Sequence, residues 1–262
     1  MEANTRLEMC VDLLVEYGSA LKALLKAGGQ TREPPAIALQ RAFGFGQATI
    51  EAMRLLLPTD KYASLMQTLC RPYFELTALL LWAARTTDGW QRLQTLWVDA
   101  NKKWAQEAVN LPPIAEHAKA ILKGAEEVLD RKDASGNPYD PAPPINQVLK
   151  TIEEQNVAEG LAESGRQSAK FQYTVVYRML CRPAHGHIQA LNLLPDAVRR
   201  HAATSAVVAT WMLLQAFCHV QPAERDKCLE TAGERVKEIL RPSGERTEAS
   251  SAPEPRGETA RD

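Results

Sequence analysis

The sequence predicts an all-α protein: a single, bundle-like helical domain of eight or nine helices over residues 1–240, followed by a disordered polar tail over residues 241–262. Three observations carry this reading. Apolar residues recur at spacings of three and four along most of the chain, the period of a helix with one buried face. Alternating β-branched runs, the mark of a half-buried strand, are nearly absent. The breaks between periodic stretches are clusters of Gly, Pro and Asp, such as "AGGQTREPP" and "PTD".

The first helix is expected from Thr5 to Ala27, with Leu7, Val11, Leu14, Leu21 and Leu25 on one side. Pro34 and Pro35 suit the opening turn of a second helix, to Leu57. Its "FGFGQ" stretch places Gly44 and Gly46 in mid-helix, where another backbone can approach closely. Thr59 or Asp60 would cap a third helix through Ala84. A fourth begins at Asp88 or Gly89 and carries Trp90, Trp97 and Trp104, seven apart and so on one stripe, which reads as a core seam or a partner-facing groove. A fifth, Pro113 to Arg131, sets charges opposite Ile121, Leu122 and Val128, with His117 a solvated surface residue.

Residues 132–144, "KDASGNPYDPAPP", form a long internal loop, read as a linker or an ordered lid. Helices then follow over Ile145–Asn156, Ser164–Leu191, Pro195–Val220 and Pro222–Leu240. The last stretch has no large apolar residue with which to offset the entropy of ordering. The tetrapeptide "LCRP" occurs at residues 69–72 and 180–183, but its flanks differ, so it does not argue duplication.

At 45% hydrophobic content, a chain of 262 residues can bury a sizeable core. Thirty-one Lys and Arg against thirty-two Asp and Glu give a formal charge of −1, so no global field attracts nucleic acid or anionic lipid. The N-terminus lacks the basic start and apolar centre of a secretory signal. The runs "LTALLLWAA" and "SAVVATWMLLQAFCHV" are shorter than the roughly 20 apolar residues of a spanning helix. Five scattered cysteines without a Cys-x2-Cys pair read as free thiols in a reducing cytosol. The expectation is a cytoplasmic protein without membrane, cofactor or metal, with a homodimer allowed.

Chemistry concentrates in "YRMLCRPAHGHIQAL", residues 177–191. Steps of four place Tyr173, Tyr177, Cys181 and His185 in one vertical stripe of a helix, each with apolar bulk and a polar tip that needs a partner. The third helix offers Arg71 and Glu75, also four apart and set among Tyr73, Phe74, Leu76 and Leu79. If these groups face inward they should meet one another, because an unpaired buried charge is costly. Pro72 and Pro183 are each expected to kink their helices beside this seam.

An Arg-x3-Glu helix followed by Tyr-x3-Tyr-x3-Ser-x3-His resembles a bacterial family, domain-of-unknown-function family 5677. "RPYFE" and "YTVVYRMLCRPAH" carry the likeness, which covers about residues 55–215. Cys181 stands where serine is usual, and Pro72 where a small residue is commoner. The resemblance implies an all-helical fold and no assigned activity.

Three functional readings follow. In the first, Arg71, Glu75, Tyr173, Tyr177, Cys181 and His185 form a buried polar network in a non-catalytic binding or interaction module. In the second, the chain resembles the helical HEPN ribonucleases, whose signature is an arginine shortly before a histidine. Arg178 with His185, or Arg182 with His187, would then supply transition-state charge stabilisation and proton transfer to RNA in a phage-defence or toxin-antitoxin setting. The residue after the arginine is usually polar in that family and is Met179 or Pro183 here. In the third, Cys181 and His185 would ligate a metal with Glu75 or His187; no second two-ligand motif accompanies them. His201 reads as a surface residue, and His219 as a helix-end cation.

Overall fold

A computed structural model of the chain describes residues 2–28, 34–158, 176–184, 194–221 and 224–240. Within these residues the protein is all-α. Its helices are α1 (Glu2–Gly28), α2 (Pro34–Leu56), α3 (Ala63–Arg85), α4 (Gly89–Ala108), α5 (Ala115–Leu129), α6 (Ile145–Ala158), α7 (Arg178–Ala184), α8 (Pro195–His219) and α9 (Arg225–Leu240). The helical expectation over 164–191 is met within the described residues only by α7 and a π-wound turn at Val176 and Tyr177. The expected tail lies outside them.

The architecture is organised by α3 and α8, which pair along most of their length and are flanked by α1, α2, α6, α7 and α9. α8 is apolar on nearly every face, with Ala202, Ala203, Ala206, Val207, Ala209, Leu213, Leu214 and Cys218 all fully buried. Such a helix has no side to give to water and belongs at the centre. It is also long and apolar enough to cross a membrane by length and composition, which the reading of its apolar run as too short did not anticipate, yet 78% of its most apolar stretch is buried against the rest of the protein. α3 contributes Met66, Cys70, Tyr73, Phe74, Ala78, Leu81 and Trp82 to the same core.

Several local expectations are corrected. No side-chain cap from Thr59 or Asp60 starts α3; a single 3-10 turn, Asp60–Tyr62, intervenes and the helix begins at Ala63. α3 continues unbroken through Pro72, which lies on its exposed side. There, water can satisfy the carbonyl that proline's missing N–H leaves behind. Pro183 lies inside α7 rather than at its start, as its expected place in a helix interior requires. Of the two mid-helix glycines, Gly44 faces open space, whereas a Cβ on Gly46 would lie 2.6 Å from the Tyr73 ring. The close approach is therefore made by a side chain, not by a backbone.

The turn into α4 is set by Asp88, whose φ of 55° is left-handed, and by Gly89, where a Cβ would sit 2.5 Å from the Ala83 carbonyl oxygen. Trp90 and Trp97 pack against the main core, but Trp104 is 43% exposed and meets the His117 ring edge-on at 6.2 Å. The tryptophan stripe thus leaves the core at its third member. α5 packs on α4 through a separate small cluster of Ala105, Ala108 and Ala118.

Residues 132–144 are an ordered strap. Asp133 Oδ1 accepts from the backbone N–H groups of Ser135 and Asn137, and Gly136 takes the positive φ that closes the turn. Arg92 then stacks over Trp82 and donates to the carbonyls of Asp140 and Pro141, while the Ala142 N–H bonds the Arg92 carbonyl.

Two of the five cysteines are joined. Cys218, in the last turn of α8, forms a disulfide with Cys228, in the first turn of α9, at a Cα–Cα distance of 5.6 Å. This corrects the reading of all five as free thiols. Two cysteines ten apart look unrelated in sequence, but the chain reversal between α8 and α9 sets them side by side. Cys10, Cys70 and Cys181 are free, the first two buried.

Candidate functional site

α3, α7 and the π-wound turn that leads into α7 bring together Arg71, Glu75, Tyr177 and Cys181. Arg71 and Glu75 share one face of α3 because they are four apart, and Arg71 Nε donates to Glu75 Oε1 at 2.9 Å. The Tyr177 hydroxyl donates to the same oxygen at 2.8 Å. The guanidinium carbon of Arg71 lies 5.7 Å from the centre of the Tyr177 ring, and that ring leans on Phe74, with centroids 6.4 Å apart. Tyr177 therefore holds α7 to α3 by both its ring and its hydroxyl. Cys181 lies within hydrogen-bonding reach of Tyr177.

The cluster is half-buried, which corrects the expectation of a closed network: the Arg71 and Glu75 side chains remain 25% and 33% exposed. A pair left partly in water is weaker than a buried one, but neither ion carries an uncompensated desolvation cost. Burial works against the Arg71 charge, but the Glu75 carboxylate more than offsets it and raises the guanidinium above its ordinary value. The Tyr177 phenol is raised by burial first, then by its bond to Glu75 and by Cys181. The site holds a fixed cation, a twice-bonded carboxylate and a phenol that keeps its proton.

Arg178 is exposed on α7. Arg182 lies in α7, but its side chain, Tyr173, His185 and His187 all fall outside the described residues. The nuclease pairs and the histidine-containing metal set therefore fall there too. Among the described residues no group of three His, Cys, Asp or Glu gathers where an ion could be held.

Sequence reasoning missed a second polar column, through the core itself. The wholly buried Tyr73 hydroxyl lies 3.2 Å from Thr210 Oγ1, and Thr210 also bonds the Cys10 thiol. Burial pushes Cys10 up to about 12 and raises Cys70 and Tyr73 as well, so both thiols are inert. Nearby, buried Gln67 lies 3.2 Å from His201 Nδ1, so His201 is half-buried and tied to α3 rather than a surface residue. Thr210 sits inside an apolar run, and its one hydroxyl gave no periodic signal.

At the start of α8, Arg199 bridges Asp60 and Asp196. A shallow cavity of about 240 Å3 opens beside them, lined by Asp60, Leu194, Pro195, Asp196, Ala197 and Arg200. Both acids are already engaged by Arg199, so the cavity offers no poised carboxylate.

No protein-family model, curated protein or solved structure matches the chain.

Three phenols, Tyr17, Tyr73 and Tyr177, are raised above the ordinary value of 10.0, in each case chiefly by burial. An unfolded chain ionises these groups at the ordinary value, while the folded chain keeps them protonated. Their contribution to stability is thus complete below that value and is lost as pH rises through the folded values. Denaturant melts across this range should show stability falling as pH rises past 10.0. In Tyr177→Phe the fall should be shallower, read against the phenolate absorbance of both proteins.

Proposed function

We propose that the chain is a non-catalytic helical binding or interaction module in which Glu75, gripped by Arg71 and Tyr177, latches α7 to α3. The observation that carries this is the double donation to Glu75 Oε1, from Arg71 Nε at 2.9 Å and the Tyr177 hydroxyl at 2.8 Å. Both donors are spent on one carboxylate oxygen, and a phenol held protonated is a poor nucleophile. The arrangement does suit a fixed polar patch, half open to solvent, on an otherwise apolar helix pair. The likeness to domain-of-unknown-function family 5677 belongs to this proposal: Arg71 and Glu75 of its Arg-x3-Glu element and Tyr177 of its tyrosine ladder are groups that meet here, with Cys181 in place of the usual serine.

The test combines stability with activity. Glu75→Ala removes the acceptor shared by Arg71 and Tyr177, which should cost about 1–3 kcal/mol. At about 2–4 °C per kcal/mol for a chain of this size, the melting temperature should drop by several degrees. Glu75→Gln should recover part of that loss, because it restores an acceptor for Tyr177. Incubation with RNA in chelator should give no cleavage by the parent chain and none altered by Arg178→Ala. An unchanged melting temperature for Glu75→Ala, or RNA cleavage abolished by Arg178→Ala, would overturn the reading.

A further inference from the structure

We propose that the Cys218–Cys228 disulfide is a redox-operated staple that sets how firmly α9 is held on the core. Among the described contacts, α9 carries a small buried face and one exposed ion pair to its neighbours. Its buried face is Ala232, Val236 and Ile239, with Leu229 partly buried against the core, and at Gly233 even an added Cβ would come no nearer to Trp211 than 3.6 Å. Its ion pair to α1, Arg235 with Glu16, is exposed on both sides and so contributes little. The disulfide joins this light helix to α8, the most deeply buried element, at the residue next to Phe217.

The two sulfurs differ in access. Cys218 is fully buried, whereas Cys228 is half-buried in the first turn of α9. Of the three free cysteines, Cys10 and Cys70 are buried and only Cys181 has partial access. Exchange with a small disulfide such as oxidised glutathione therefore begins at Cys228. The Cys228 thiolate attacks one glutathione sulfur, forms a mixed disulfide and releases one glutathione thiolate. The Cys218 thiolate then attacks the Cys228 sulfur and displaces the second. Two protein thiols lose two electrons and two protons, and one oxidised glutathione becomes two reduced molecules. Reduction runs the same steps backwards.

In the reduced state α9 keeps its small apolar face but loses its covalent tie. By the loop-closure entropy of a ring this size, its opening should become about a hundredfold more frequent. Opening uncovers Trp211 and the inner face of α9 while leaving the α3–α8 pair intact.

The experiment uses the full chain equilibrated in glutathione buffers of stepped ratio. Thiols are then trapped by alkylation and located by mass spectrometry, with amide hydrogen exchange measured at both ends of the series. The expected result is reversible conversion of Cys218 and Cys228 together. Exchange in Arg225–Leu240 should be about a hundredfold faster when reduced, with α3 and α8 unchanged. Cys228→Ser should exchange like the reduced protein in every buffer, and Cys181→Ser like the parent. The proposal is overturned if the pair stays as thiols in excess oxidised glutathione, if it resists reduction until the whole chain unfolds, or if exchange in α9 is the same in both states.

Discussion

Phe217→Ala should be among the most damaging single changes in the chain, lowering stability by about 3–5 kcal/mol. The ring is almost fully buried near the end of α8 and takes two edge-on aromatic partners: Tyr17 of α1 at 5.7 Å and Phe43 of α2 at 6.0 Å. Truncation removes the apolar area of a whole ring and leaves a cavity among three helices. It also deletes both ring contacts, each contributing about 0.5–1.5 kcal/mol beyond burial. Cys218 and its disulfide, next in sequence, restrain the end of α8 and limit its collapse into the void. Phe217→Leu keeps most of the volume but still gives up both ring contacts, about 1–3 kcal/mol together, and should lose less than Phe217→Ala. Chemical denaturation of the two variants checks this; equal losses would show that the ring contacts, which both variants lose, outweigh the volume that Leu retains.

Gly46→Ala should destabilise the protein by about 1–3 kcal/mol, although the same change two residues earlier should do the opposite. A methyl carbon on Gly46 would lie 2.6 Å from Cε2 of Tyr73 and 2.8 Å from its Cζ and hydroxyl oxygen. The ring cannot swing aside, because it is wholly buried, flanked by Phe45 at 6.4 Å and bonded through its hydroxyl to Thr210. Relief requires α2 and α3 to separate, or the buried Tyr73 to Thr210 bond to break. Gly44 is exposed with nothing within 4 Å of the added atom, so Gly44→Ala brings only the better helix former, worth up to about 1 kcal/mol. Melts of the two variants should move in opposite directions. A shared direction would mean that the α2–α3 approach is looser than its geometry.

The helices were legible because burial imposes a period, and the helix order and the meeting of Arg71, Glu75 and Tyr177 follow from it. What escaped depends on contacts between elements that no period encodes. Gly46 announced a close approach but not that a ring would fill it. Trp104 keeps the spacing of Trp90 and Trp97, yet α4 runs beyond the main core before reaching it. Cys218 and Cys228 have no motif, and their pairing follows from a helix reversal. The half-open state of the Glu75 cluster was invisible for the same reason: four-residue spacing shows which side chains share a face, not how much of that face its neighbour covers.

The strap at 132–144 makes the α4–α5 hairpin a bracketed outrigger. Its root is fixed by the left-handed turn at Asp88 and by Arg92, which grips the strap while lying on Trp82. Its shaft is closed by its own alanine cluster, and its tip, Asn110–Pro113, is exposed. Length can therefore be added or removed at that tip without reaching the α3–α8 core. This hairpin is an arm whose reach is free to vary while the body that carries it stays the same.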